Sequence, residues 1–558
     1  MSRGWRICVI VLSVVAVLAV AAVLTADVVL TKLADKALRE RLRAIDNNVD
    51  YGSVHVRVGS RSVEMRDIVF STDTIDSLTS AGLLVRVEKV AVKHISLRRL
   101  IRDKCLSIGK LSIDNPHVQF LSVAEENKPQ SEPPVADSTK TNSWLAEVEI
   151  KRIDVSGASF ALRYLDNQLQ LNIDSADVKI GRVGYNLHSD SLFYDDSAYS
   201  LLLRRLSFMS SDGLFSAHIR ELSTEDTGAI NVQGISAGNT VGKFDLADRM
   251  GKVPVTWAHA EISRLTTSAC NLPRLIAQKR LLIDTIVVEG ERLQVLRDVR
   301  YKPKEQYPMP QQEIMSIPVP LEIKTIKSEI AKLEVEFANQ IDHCGKMDLR
   351  KMNVTIKNFT NSEKATTHIT TKGLMGENAK LNLGLNLTND KKCHFSADMR
   401  IQEATGAALD GFLIPLAGVN LRTNLHDMHC TMAGDGKSAM GDFCMIYDSL
   451  KINIDKTKMP VEVVAKHAGI INFVLSLMVP VCNPRNPGHE PFTCKVSAER
   501  DPMDNFAMYM FGPVIDGLEQ TLLPKFVHNT IKNKQAKQTA ASGSTDAKPA
   551  PTKKAAKK

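Results

Sequence analysis

The stretch Leu321–Phe337, LEIKTIKSEIAKLEVEF, constrains the fold most, because its apolar spacing recurs. Leu321, Ile323, Ile326, Leu333 and Val335 share their offsets with Leu106, Ile108, Leu111, Ile113, Val118 and Phe120. Val148, Ile150, Ile153, Val155, Phe160 and Leu162 form another copy, and Leu281, Ile283, Ile286, Val288, Leu293 and Val295 a further one. Of the 24 aligned positions 23 are apolar, Ser328 being the exception, where a 44% apolar chain supplies roughly ten or eleven by chance. Steps of two place side chains on one face of a strand. The three-residue step keeps that face only if a β-bulge absorbs one residue. The gap between the second and third pairs carries turn chemistry: Asp114-Asn115-Pro116, Ser156-Gly157 and Glu289-Gly290. Each copy therefore reads as a bulged strand, a turn and a second strand, with Ser328–Ala331 lacking the turn residues.

A two-stranded unit cannot bury its own apolar face, so such units must stack. Two arrangements satisfy this. One is a conventional β-sandwich core. The other, taken as the fold class, is mainly β: an elongated, curved, repeating antiparallel sheet, a β-groove whose apolar face stays available to ligand.

Charge and composition exclude some functions. The net charge is +8, but residues 533–558 carry seven Lys and one Asp, and Arg3 and Arg6 account for the remaining +2. The body is near neutral, which argues against a nucleic-acid groove.

Taken in order, 1–6 is a polar tip and 7–30 an expected transmembrane helix. Ile7–Leu24 is eighteen residues with only Ser13 polar, about 27 Å as a helix. A cleaved signal peptide is the rival, but its apolar region is normally shorter and no well-placed small-x-small site follows. Arg3 and Arg6 favour a cytoplasmic N-terminus, while Lys32, Lys36, Arg39, Arg41 and Arg43 follow the span, so charge leaves the topology open. Residues 31–50 read as a juxtamembrane helix and 51–124 as a first β-repeat region. Within it Val85, Val87, Val90 and Val92 repeat the two-three-two step. Residues 125–143 are a proline-bearing linker, 144–300 a central β-repeat region, 301–320 a Pro-rich joint and 321–532 a C-terminal β module. In that module Met503, Phe506, Met510, Val514, Leu518 and Leu522 recur at helical spacing, predicting a helix pair around Gly512-Pro513 that packs on the end of the sheet. Residues 533–558, rich in Lys and Ala, cannot bury enough apolar surface to fold.

No catalytic constellation is legible. His426-Asp427-Met428-His429-Cys430, with His343-Cys344 and Cys393-His394, is the most metal-like group, but CxxC pairs and a helical HExxH are missing. Gly436-Lys437-Ser438 resembles the end of a phosphate loop, yet Thr431 stands where that motif needs Gly. Cys482 with Cys494, and Cys430 with Cys444, are close enough in sequence to pair; free buried thiols are the alternative. The chain reads as non-enzymatic, with no cofactor and no metal.

The order of features resembles the AsmA-like family, in particular its Bacteroidota-type members. The residues that carry it are VHVRVGSRSVEMRDIVF (54–70), IKTIKSEIAKLEVEF, DLRKMNVTIKNFTN (348–361), the module 413–454 with Tyr447 and Leu450, and the ending FAMYMFGPVIDGLEQTLLP. The resemblance implies an inner-membrane anchor with a cytoplasmic N-terminus and a periplasmic body. It also implies a repeating β-groove, related to bridge-like lipid transfer proteins, that binds or conducts phospholipid in support of outer-membrane biogenesis, with envelope proteins as further partners. Leu106, Ile108, Val148, Ile150, Ile153, Phe160, Leu162, Ile283, Ile286, Leu321, Ile323, Ile326, Leu333 and Val335 are the expected lining of that groove. The competing expectation is a tethered scaffold that affects outer-membrane protein assembly and carries no lipid.

Overall fold

The computed structural model describes residues 31, 32, 35, 49–71, 82–122, 145–164, 167–187, 189, 191–195, 199–224, 228–270, 279–340, 343–417, 419–454, 480–486 and 488–522. These residues are mainly β. The chain divides into two compact units, one of Met1–Arg249, Trp257–Val295 and Val319–Ala331, the other of Met250–Thr256, Leu296–Pro318 and Lys332–Lys558. One division, between Pro318 and Val319, lies in the 301–320 stretch, and others lie within the strands Val255–Ala269, Leu281–Asp298 and Leu321–Gln340.

The first unit runs β1 (Val49–Asp50), β2 (Ser53–Arg57), β3 (Ser62–Ser71), β4 (Gly82–Ile95), helix α1 (Leu97–Asp103), β5 (Cys105–Ser122), β6 (Glu147–Ile150), β7 (Ile153–Tyr164) and β8 (Gln170–Ile180). It continues with β9 (Val183–Asn186), β10 (Ser191–Tyr194), β11 (Tyr199–Met209), β12 (Phe215–Thr224), β13 (Ala229–Asn239), helix α2 (Asp245–Arg249) and β14 (Val255–Ala269), then enters β15 (Leu281–Asp298). Neighbours in the order β3-β4-β5-β7-β8-β11-β12-β13-β14 are hydrogen-bonded.

All of these pairings are antiparallel except one. β5 pairs with β6 and β7 in parallel, at a constant offset that sets Leu106 against Val148, Ile108 against Ile150, Val118 against Phe160 and Phe120 against Leu162. The first two sequence copies therefore lie side by side, residue for equivalent residue. The third and fourth do the same. In the first unit Leu281 N–H donates to Pro320 C=O (2.9 Å), Lys324 pairs with Asp284 (2.6 Å), and a Cβ on Gly290 would meet Ile330. The partner number rises as the residue number rises, which only parallel strands allow. A parallel pair needs a long return connection. The chain makes those returns between Ser122 and Glu147 and between Asp298 and Leu321, the second with helix α3 (Pro310–Met315) ahead of β16 (Leu321–Gln340).

The expectation of a wholly antiparallel sheet is corrected accordingly. So is the expected turn inside each copy. β5, β15 and β16 run through it as single strands, and Asn115 and Gly157 sit at φ 50° and 62° inside β5 and β7. The Asn and Gly chemistry serves a left-handed bulge rather than a chain reversal.

A closed core occupies one end of the first unit. Tyr51, Val54, Val63, Ile95, Leu100, Leu106, Ile108 and Ile150 pack there, with Leu106 and Ile108 at 0% exposure. Tyr51 Oη donates to Asp35 Oδ1 at 2.8 Å, tying residue 35, which is helical, to this core.

The second unit contains β17 (His343–Thr360), β18 (Thr366–Met375), β19 (Ala379–Thr388), β20 (Phe395–Thr405), helix α4 (Ala407–Ala417), β21 (Val419–Gly434), β22 (Ser438–Ile454), β23 (Thr493–Glu499) and helix α5 (Phe506–Leu522). Its strands pair antiparallel in chain order from β17 to β23. The expected helix pair is one continuous helix, α5, with Pro513 inside it.

The expectation of a single-pass inner-membrane anchor is also corrected. Among the described residues no helix is long and apolar enough to cross a membrane. Residues 7–30, where that helix was placed, lie outside the described residues, as do the linker 125–143 and the tail 533–558.

Candidate functional site

The two-three-two step recurs through the long strands from β3 to β14. It reads Val63-Met65-Ile68-Phe70 in β3, Leu201-Leu203-Leu206-Phe208 in β11, Ala217-Ile219-Leu222-Thr224 in β12 and Ile230-Val232-Ile235-Ala237 in β13. A three-residue step would turn the later pair to the opposite face. Left-handed residues prevent that at Asp67, Asn115, Gly157, Arg205 and Gly234, with φ between 50° and 63°. Arg205 also forms an exposed ion pair with Asp174 of the neighbouring strand (2.7 Å). Both halves of β3, β5, β7, β11 and β13 thus present apolar side chains to one face.

The consequence is a file of apolar residues running across nine strands: Phe70, Val85, Val118, Phe160, Ile173, Leu206, Ile219, Ile235 and Ile262. At about 4.8 Å per strand the file is roughly 38 Å long. A second file beside it holds Leu83, Phe120, Leu162, Leu171, Phe208, Ala217, Ala237 and Ala260. A third holds Met65, Val90, Ile113, Val155, Val178 and Leu201.

From Phe160 to Ile262 every member of the first file is only half-buried. Side chains of this kind between two packed sheets are buried. The opposite face is polar and laced with cross-strand pairs, including Lys89–Asp114 (3.0 Å), Lys110–Asp154 and Arg204–Asp177 (3.2 Å). One face is therefore built for water, and the other holds a broad apolar strip that no described second layer covers.

The face of the second unit is different. Val354, Thr371, Leu383, Met399, Cys430, Phe443 and Cys494 form its file, and α5 packs on the last strands. A Cβ on Gly517 would lie 2.2 Å from the Phe443 ring, so glycine lets the helix sit directly on it. Tyr509, Met510 and Val514 are buried in this contact, and the Phe506 and Tyr509 rings meet Phe395 edge-on at 5.2 and 5.6 Å.

The residues expected to line a groove fall into separate places. Leu106, Ile108 and Ile150 lie in the closed core, with Val148 and Ile153 packed against it. Phe160 and Leu162 are on the open files. Ile283, Leu321 and Ile323 are buried; Ile286, Ile326, Leu333 and Val335 are half-buried. The larger part of the open face, Leu206, Ile219, Ile235 and Ile262, was missed. Its signal was the two-three-two step itself, which needs no copy in phase elsewhere.

The metal-like cluster is dispersed by strand alternation. His426 pairs with Asp448 (2.7 Å) and His429 with Asp398 (2.9 Å), both exposed, while Cys430 is buried opposite Phe443. Among the described residues one group could share an ion, Cys105, Glu147 and Glu149. Glu149 already binds Arg99 and Arg182 (2.6 Å) and accepts from Ser107 Oγ (3.1 Å), which opposes a cation there. Cys430, Cys444, Cys482 and Cys494, the members of the two expected pairs, are all free thiols. Cys430 and Cys444 cannot pair, because Cys430 is on the face under α5 and Cys444 is paired with His429 on the other. Burial pushes the thiols of Cys430 and Cys494 up to about 12 and about 11.

Compared with protein-family models, curated proteins and solved structures, the chain has no match.

Proposed function

We propose that the chain binds phospholipid by laying its acyl chains along the apolar files of the first unit, and that it does so without covalent chemistry. The observation that carries this is the nine-strand file from Phe70 to Ile262 with its half-exposed members. An uncovered apolar strip of this width is unfavourable in water unless something lies on it. Its length of roughly 38 Å exceeds the roughly 15 Å that one leaflet's acyl chain occupies in a bilayer about 30 Å thick. Head groups would stay in water at the edge of the strip. The resemblance to AsmA-like proteins, and through it a role in outer-membrane lipid homeostasis, belongs to the same proposal. The scaffold reading would need a filled core along the whole of this face; the closed core of the first unit occupies one end of it, and the half-buried file beyond supports the lipid reading.

The test is mass spectrometry of lipid retained by the full chain after purification, beside the Ile219→Asp/Ile235→Asp variant. Stoichiometric phospholipid in the parent, lost from a variant with unchanged circular dichroism, supports the reading. A folded parent free of lipid, and unable to take up a fluorescent fatty acid, removes it.

A further inference from the structure

We infer that the end of the first unit bearing α1 is a docking surface for an anionic lipid bilayer. Three consecutive connections meet at this end. The β2–β3 turn is closed by Arg61 N–H to Val58 C=O, and Ile95 N–H donates to Arg61 C=O beside it. Next come α1 and the start of β5, from which Lys104 C=O accepts from Ala146 N–H; Ala146 C=O in turn accepts from Leu187 N–H of the β9–β10 connection. Backbone hydrogen bonds therefore step along one rim.

Each connection presents a large apolar side chain to solvent: Val58 at 41%, Ile101 at 75% and Leu187 at 38% exposure. Helix α1 is fixed so that this is unavoidable. Leu100 is buried in the core beneath, at 4%, and the next residue must point outward. The charged residues around these tips are one-sided. Arg57, Arg61, Arg98, Arg102 and Lys104 are exposed in the first two connections, against the single exposed acid Asp103. Arg99 is not free to join them, being bound to Glu149.

Protruding aliphatic tips within a basic rim suit a surface that is apolar just below a layer of negative charge. A soluble acidic protein would use the charge and leave the three tips in water. A neutral bilayer would take the tips and ignore the charge. The inference rests on the lipid-binding reading only for its purpose, since a rim seated on a bilayer would let lipid pass between that bilayer and the open files; the contact itself is tested independently.

The experiment places tryptophan at the tip. Ile101→Trp and, as a control on the β11–β12 side, Phe215→Trp (41% exposed) are made in the full chain. Fluorescence is read as the difference from the parent on vesicles of brominated phosphatidylglycerol or brominated phosphatidylcholine. The expected result is quenching at position 101 on phosphatidylglycerol, none at 215, and weaker or no quenching at 101 on phosphatidylcholine. Adding Arg98→Glu and Arg102→Glu to Ile101→Trp weakens that response at least about 25-fold, each basic side chain near an anionic surface being worth about fivefold. The inference is overturned if the Ile101→Trp variant is not quenched, or if its quenching is indifferent to lipid charge and to the reversals. It is also overturned by a dimer, seen by sedimentation without vesicles, that Ile101→Asp abolishes. Uptake of a soluble fluorescent fatty acid is measured on the same variants. Uptake without docking overturns the rim alone; docking without uptake overturns the acyl-binding reading alone.

Discussion

Asn115 of β5 and Gly157 of β7 are neighbours across the parallel ladder, and both are left-handed, at φ 50° and 62°. A Cβ on Gly157 would fall 2.2 Å from Asn115 Oδ1, and its φ of 62° is one that L side chains rarely adopt, so this crossing of two bulges favours glycine on one side. Gly157 N–H also donates to Asp177 Oδ1 at 2.9 Å, tying the bulge to β8. Gly157→Val is expected to lower stability by about 1–3 kcal/mol, because the side chain meets Asn115 and the backbone is strained. Urea unfolding followed by circular dichroism measures it, and an unchanged midpoint would remove the bulge from the account of how the files stay on one face.

The core and the open face should respond differently to the same truncation. Leu106, fully buried, is expected to lose about 2–5 kcal/mol on Leu106→Ala. Leu206 and Ile219, half-buried on the open files, should lose clearly less, because part of their surface already faces solvent. Equal losses would mean that something packs on the files in the free protein.

Glu149 gives a pH signature. Burial raises its carboxyl, but the Ser107 hydroxyl and the Arg99 and Arg182 guanidiniums outweigh that and hold it below its ordinary value of 4.5. A depressed folded pKa means stability that is present above the unfolded value and is lost as pH falls through the folded one. The melting temperature of the parent should therefore fall below pH about 4.5 by a step that Glu149→Gln lacks. At neutral pH Glu149→Gln should cost about 1–3 kcal/mol, the range for hydrogen bonds to a buried charged group. Superimposable melting curves from pH 3 to 7 would contradict the arrangement.

The helix seat on Phe443 can be opened with Gly517→Val, which forces α5 away from the ring at about 1–3 kcal/mol. Cys430 and Cys494 flank Phe443 across its two ladders and are buried, with thiols raised to about 12 and about 11. In the parent they should resist a thiol reagent at pH 8, and in the variant react at least tenfold faster. Equal labelling rates would show that α5 is not their cover.

How much of this was legible follows from what repeats encode. Alternation with a three-residue step depends on backbone geometry alone, so the strands of 106–120, 148–162, 281–295 and 321–335 were readable, and so was their equivalence. The helical period over Phe506–Leu522 was readable, but not that the helix continues unbroken through Pro513. The chain reversal assigned to Asn115 and Gly157 was wrong because the same residues serve a turn and a left-handed bulge equally well. The paired cysteines were unreadable for a related reason: closeness in sequence says little when alternation sends Cys430 and Cys444 to opposite faces.

By itself the sequence determined a mainly β chain, the placement of its apolar faces and the equivalence of its repeats, since these follow from residue type and period. Only the tertiary structure decided that equivalent copies lie in parallel, that Leu106, Ile108 and Ile150 close a core, and that Phe160, Leu206 and Ile219 remain half-exposed. The physical reason is that an apolar side chain carries the same pattern whether it is covered or not. What covers it is set by which strand or helix arrives from far along the chain, as α5 does for Phe443 and as no described element does for Ile219.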